Sequence, residues 1–376
     1  MQWKTRLCLT IILSLSLAGC TVVNKLDRAV EGRRAGEGRV EDPAAARAGA
    51  DAAFRQGIRY KEGDGVPQSD EEATVHFRQA AEVGHADAQF MLGLALQTGR
   101  GADKSPAAAL VWYRKAAEQG HIEAQFLTGL MHRSGLGTAK DSATAIGWLE
   151  RAAAQDHSGA QFQLGTVYAK GEGVTEDRER ALAYFEAAAE RGHPEAMHLA
   201  GDAYSNGRGT VTDHAWAARW YGKAARLGVA RSQYMLGVGF GAGLGLPKRP
   251  ADAYFWLVLA SKRGLEEATK LHQAMARRLP AKRRREIERR AAAWTIEKEA
   301  VDPDRPTAYF VQLALDAIGY SPGPIDGVLG PKTKRALARY LKDRRLGAEA
   351  PLSKALLERL REERRVVVGQ RGAGTS

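Results

Sequence analysis

Cysteine is almost absent from this chain: there are two in 376 residues, Cys8 and Cys20. No disulfide framework can therefore hold the fold together. Long apolar runs are scarce as well. Leu7–Leu17 is too short to span a membrane as a finished helix. With Lys4 and Arg6 before it, the run reads as a secretory signal. S-x-x-K and H-E-x-x-H are both missing, which removes two common hydrolytic arrangements. Acidic excess is missing too. The net charge is +12 and the pI about 9.7. That balance alone would suit nucleic acid, a membrane surface or an acidic polymer. Export out of the cytoplasm argues against nucleic acid.

What the chain has is a period. A small residue recurs every 36 positions at Ala52, Ala88, Ala124, Ala160, Ala196, Ser232 and Ala268. Three glycine series keep the same step, beginning at Gly57, Gly63 and Gly65, and an alanine series begins at Ala80. A fixed period of this size predicts a solenoid. Ala160–Lys170 reads as one short helix, and its internal Gly165 suggests close helix–helix approach. Gly171 and Gly173 stop that helix by supplying positive φ. Asp177–Arg191 carries Ala181, Leu182, Phe185, Ala188 and Ala189 at amphipathic spacing. Each unit is thus a helix pair that buries its apolar face only by stacking on the next.

The motif A-x-x-x-L-G-x-x-Y-x-x-G-x-G-V, followed by A-x-x-W/Y-Y/F-x-K-A-A-x-x-G-H, resembles the Sel1-like repeat, a relative of the tetratricopeptide repeat. Residues 52–267 hold six such units. The resemblance implies an α/α superhelix that binds other proteins. His76, Trp112, Trp148, Tyr184, Trp220 and Trp256 share one register and read as filler between stacked helices. His85, His121, His157 and His193 also recur 36 apart. Equivalent atoms of successive repeats should lie roughly 10 Å apart, too far for one metal, so these read as turn residues bonding local backbone. His193, Glu195 and His198 do not share a helix face, and no metal is expected there. Gly-x-Gly is no nucleotide loop, since no strand precedes it. Neither a metal nor any cofactor is expected.

Leu17-Ala18-Gly19-Cys20 looks like a bacterial lipobox. The resemblance implies cleavage after residue 19 and lipidation of Cys20, with the protein held on a membrane, the outer one favoured by Thr21. Stable anchoring needs two or more acyl chains. Residues 20–51, rich in Ala, Gly, Arg and Glu, read as a flexible tether. After the repeats, residues 268–301 read as capping helices and linker. They resemble the closing element of Sel1 arrays, and their outer face carries Lys282, Arg283, Arg284, Arg285, Arg289 and Arg290.

Asp302–Pro306 reads as a linker into a compact module, residues 306–362. Phe310, Leu313, Leu315 and Ile318 fit a helix that Gly319 ends. Gly330-Pro331 starts a second, and Leu352, Leu356, Leu357 and Leu360 mark a third. Gly319-Tyr320, Gly323-Pro324, Asp326-Gly327, Gly330-Pro331, Thr333 and Ala336 resemble the type 1 peptidoglycan-binding domain. Two features depart from its pattern: Gln312-Leu313 stands where leucine usually precedes glutamine, and Tyr340-Leu341 replaces Phe-Gln. The resemblance places Tyr320, Asp326, Gly327 and Thr333 at or near the glycan–peptide groove. An alternative reading has Asp326-Gly327 and Thr333 only holding the loop and capping the helix. Lys332, beside the motif, could meet a stem-peptide carboxylate. Residues 363–376 read as a disordered tail.

The fold expected is all-α: six Sel1-like repeats followed by a small three-helix module. The function expected is non-enzymatic. A cell-envelope lipoprotein would bind peptidoglycan at its C-terminal end and an unidentified envelope protein on its solenoid. One alternative is a periplasmic scaffold for secretion or exopolysaccharide export. Another, a Sel1-type β-lactam-binding enzyme, is not favoured, because the repeats lack that group's cysteine pairs.

Overall fold

The structure is a computed structural model, and it describes residues 42–295, 305–347 and 352–373. Cys20, the signal, most of the tether, and residues 302–304 of the linker lie outside the described residues. Those residues form 17 α-helices and no strand. They divide into two compact parts, one ending at Ala88 and one starting at Gln89.

The first part holds α1 (Pro43–Glu62) and α2 (Asp70–Glu82). Next comes α3 (Ala86–Thr98). It pairs with α4 (Pro106–Glu118); then come the pairs α5 (Ile122–Ser134) and α6 (Ser142–Ala154), and α7 (Ser158–Lys170) and α8 (Arg178–Glu190), with α9 (Pro194–Asn206) opening the next. The array ends with α10 (His214–Arg226), α11 (Ala230–Ala242) and α12 (Pro250–Lys262). Beyond it are α13 (Glu266–Ala276) and α14 (Ala281–Ala292), then α15 (Arg305–Ala317), α16 (Pro331–Asp343) and α17 (Lys354–Ala373).

Each glycine series has its own physical role. In the first, a Cβ on Gly93, Gly165 or Gly201 would lie 2.7, 2.6 or 2.7 Å from the ring of Tyr113, Phe185 or Tyr221. The expected close approach is therefore real, and its partner sits 20 residues on in the same repeat. Leu149 and Leu257 fill that place against Gly129 and Gly237. The second series ends the first helix of each pair in the left-handed region, with φ from 67° to 82°. The third also has positive φ. Gly137, Gly173, Gly209 and Gly245 lie directly on the first residues of the preceding second helix, Pro106, Ser142, Arg178 and His214. A side chain there would push neighbouring repeats apart.

The caps repeat as well. Ser69, Ser105, Asp141, Asp177 and Asp213 each accept a bond from the N–H three residues on, at 2.9–3.3 Å. Nδ1 of His85, His121, His157 and His193 accepts from the N–H of Ala88, Ala124, Ala160 and Ala196 at 3.0–3.3 Å. The four rings lie against Phe54, Phe90, Phe126 and Phe162 at 4.4–4.6 Å, stacked in three pairs and tilted at Phe126. The histidine series is thus a capping device, as its spacing suggested.

Three expectations change. First, the helix of the first repeat begins at Pro43, so residues 43–51 are not a tether. Asp42 caps them, bonding Ala44 N–H at 3.0 Å, and proline suits the first turn. Second, the aromatic register is core filler in only half of the repeats: Trp148, Trp220 and Trp256 are buried as expected. His76, Trp112 and Tyr184 are only half-buried, while Phe77, Tyr113 and Phe185, one residue on, are buried on the glycines. A 100° rotation separates the two faces. Third, residues 363–373 are not a disordered tail, because α17 runs through Ala373.

Candidate interaction surfaces

The C-terminal helices pack closely around a glutamine. Gln312, fully buried on α15, receives the N–H of Asp326 and Gly327 on its Oε1 at 3.1 and 2.9 Å. Its Nε2 lies 2.9 Å from Pro324 O and Asp326 Oδ1, 3.0 Å from Val328 O and 3.2 Å from Thr333 Oγ1. One side chain therefore replaces a backbone ladder for the loop between α15 and α16. The supposed inversion at Gln312-Leu313 is no defect, since Gln312 itself faces the loop.

The predicted site residues belong largely to this network. Thr333 is buried and donates to Pro322 O at 3.1 Å. Gly327 has φ 73°, and a Cβ there would meet Tyr309 at 2.6 Å. Asp326 Oδ1 accepts from Gln312 and from Val328 N–H at 2.9 Å. The Gln312 bond first, then the Val328 bond, hold its carboxyl below the usual range. Oδ2 of Asp326 has no partner among the described residues. Tyr320 donates to Asp343 Oδ2 at 3.1 Å and meets Tyr340 edge-on at 5.4 Å. Lys332 is exposed on α16, its stem against Gly323. These residues share one loop and the helix that follows it. Gly319–Gly323 also spells G-x-S-x-G. Ser321, with φ 42°, sits between two helices, and no histidine follows His272. The string therefore lacks both the strand–turn–helix setting and the base of a nucleophile elbow.

The same helices lie against the solenoid. On α15, Phe310 meets Trp216 edge-on at 4.9 Å and Tyr309 meets Phe240 at 5.7 Å. Pro306 presses on Gly222, where a Cβ would come within 2.5 Å. Earlier repeats carry Arg78, Arg114, Glu150 and Glu186 in that register. From α17, Arg361 lies over Tyr204 at 4.3 Å and donates to Tyr204 Oη and Thr210 Oγ1 at 3.2 Å. Arg364 donates to Asp213 Oδ1 at 3.1 Å. One repeat earlier, Arg180 covers Tyr168 at 4.1 Å. The register of Arg180 is Trp216 in the fifth repeat, and α17 supplies the missing cation. Beneath it Tyr204 donates to Glu186 at 2.7 Å, and burial pushes the Glu186 carboxyl up.

The sequence reading missed Gly222, Arg361 and Arg364. A signal was present: Ala215–Gly222 of α10 and Ala253–Ala260 of α12 are buried on every side. A helix apolar all round has neighbours all round. The basic cluster on α14 is partly neutralised, with Arg283 on Glu286 at 2.8 Å and Arg284 near Glu288 at 3.8 Å. Among the described residues no three His, Cys, Asp or Glu converge as metal ligands. No described helix is long and apolar enough to cross a membrane.

Comparison with known proteins agrees with the repeat geometry. The Sel1 repeat pattern matches residues 50–85, 86–121, 122–157, 158–193, 194–229 and 230–265. A Sel1 repeat protein from Oxalobacter formigenes is 35% identical with a TM-score of 0.51, over 59% of this chain and 88% of its own. A protective antigen present in uropathogenic Escherichia coli strains, displaying an SLR fold, is 28% identical with a TM-score of 0.60. That match covers 82% of this chain and 64% of the antigen. No curated protein matches.

Proposed function

The chain belongs to the Sel1 repeat family, and from that premise we propose that it is a cell-envelope scaffold anchored by lipid on Cys20. Sel1 repeat proteins are generally non-catalytic scaffolds, and no catalytic family is indicated. Protein partners on the repeats follow from the family. Peptidoglycan binding by residues 306–362 and attachment to the outer membrane, facing the periplasm, complete the reading.

The observation that carries the wall-binding part is the loop between α15 and α16. Gln312 ties its backbone and Asp326 Oδ1 down, while Lys332 is exposed and Asp326 Oδ2 has no partner among the described residues. A preorganised polar loop loses little entropy on meeting a ligand. Lys332 can pair with a stem-peptide carboxylate and Asp326 Oδ2 can accept from a sugar hydroxyl or peptide N–H. The test is a sacculus pull-down of the full chain carrying Cys20→Ala, at moderate salt. We expect it to pellet with sacculi, and Asp326→Asn with Lys332→Glu to leave it in the supernatant. Equal pelleting of both versions would show that general basic charge, not this loop, binds the wall.

A further inference from the structure

Two successive repeat steps have grooves lined by corresponding residues. The first includes Leu130, Arg133, Ser134, Lys140, Gln163 and Glu172. The second has Thr166, Ala169, Lys170, Glu176, Leu199 and Arg208 at the same six registers. A bridge crosses the first groove: Arg133 reaches Glu172 at 3.1 Å and also bonds Gln163. In the second groove those three positions are Ala169, Arg208 and Leu199. The arginine that would cross the groove is reduced to a methyl group, and the acid that would neutralise it becomes a cation.

This second groove holds 420 Å³, against 700 Å³ in the bridged one, and differs from it in having no bridge across it among the described residues. Its floor is Ala181, Leu182, Phe185 and Ala203, with Leu199 beside them. The acids around it are engaged. Glu176 pairs with Arg178 at 2.5 Å, and Asp202 accepts from Tyr221 at 2.6 Å. Lys170 lies 3.5 Å from Glu172. The exposed Arg208 guanidinium has no partner among the described residues.

We propose that this groove between the fourth and fifth repeats docks a partner peptide presenting an apolar side chain next to a carboxylate. The apolar side chain takes the position that Arg133 holds one step earlier, over Leu182 and Phe185, and the carboxylate takes the place of Glu172 by pairing with Arg208. The pairing is charge-assisted. The proposal rests on the scaffold reading and adds the chemistry of one partner segment.

The experiment is fluorescence anisotropy on the full chain carrying Cys20→Ala. The probe is a fluorescein-labelled peptide, Gly-Ser-Glu-Leu-Ser-Gly, with versions bearing Gln for Glu or Ala for Leu. We expect the Glu-Leu probe to bind, and either peptide change or Arg208→Glu to weaken it about tenfold, the size of one charge-assisted bond. Ala169→Arg with Arg208→Glu rebuilds the bridge of the preceding step. That variant should melt no lower than the parent and no longer bind the probe. No binding to the parent, or unchanged binding to the double variant, overturns the proposal. So does a parent that dimerises in sedimentation while the double variant is monomeric, since the occupant is then a second copy. Partner recovery by in-cell cross-linking that survives the double variant would overturn the groove and leave the scaffold reading standing.

Discussion

Two glycines on consecutive helices, Gly147 and Gly165, should respond oppositely to the same substitution. Gly165 faces Phe185, and an added Cβ would stand 2.6 Å from the ring. Overpacking of a rigid aromatic costs about 1–3 kcal/mol, more than the ~1 kcal/mol that alanine returns in helix propensity. Gly147, on α6, has open space around its Cβ position. Gly165→Ala should lower the melting temperature and Gly147→Ala should raise it. A differential scanning measurement of both checks the sign. The first glycine series was legible in the sequence as close approach, because it repeats. Its aromatic partners were not singled out, since two adjacent registers are aromatic-rich and a register does not say which face is deepest.

At the scale of the element, α17 shows what periodicity cannot report. It follows the repeats and obeys none of their spacing, so its contacts are long-range. Leu356, Leu357 and Leu360 were visible as an apolar stripe, whereas Arg361 and Arg364 looked like a solvated face. Their partner, Asp213, is a cap shared by register with Asp141 and Asp177. Asp213→Ala should remove that cap, about 1 kcal/mol, and also release Arg364. Faster hydrogen exchange confined to α10 and α17 is the expected outcome. A pH dependence belongs to the same helix. Burial raises the Glu363 carboxyl, but bonds from Arg344 and Tyr340 outweigh that and hold it below its ordinary range. Its folded pKa is thus lower than its unfolded one. The stability it contributes is complete above the ordinary glutamate range and is lost as pH falls through the folded value. Exchange in α17 should quicken on acidification through that window, and Glu363→Gln should flatten the response.

Across the whole molecule, the repeats were the most legible feature because 36-residue spacing averages over six examples. The C-terminal loop was legible through its Gly, Pro and Asp turn residues, but its organiser was not. Gln312 acts from a neighbouring helix, and a loop motif contains no sign of the side chain that holds it. The C-terminal helices also proved to be seated on the solenoid through Trp216, Gly222 and Tyr204, so their removal would uncover those residues. Point variants are therefore the sound way to separate wall binding from partner binding. Lipid on Cys20 and the wall at residues 306–362 would hold one chain at two surfaces, with the repeats between them in sequence. The most direct measurement cross-links living cells, isolates membranes and detergent-washed sacculi, and assays both for the chain. The account predicts the parent in both fractions and Cys20→Ala on sacculi alone. A parent found in neither, remaining in the soluble fraction, would contradict it.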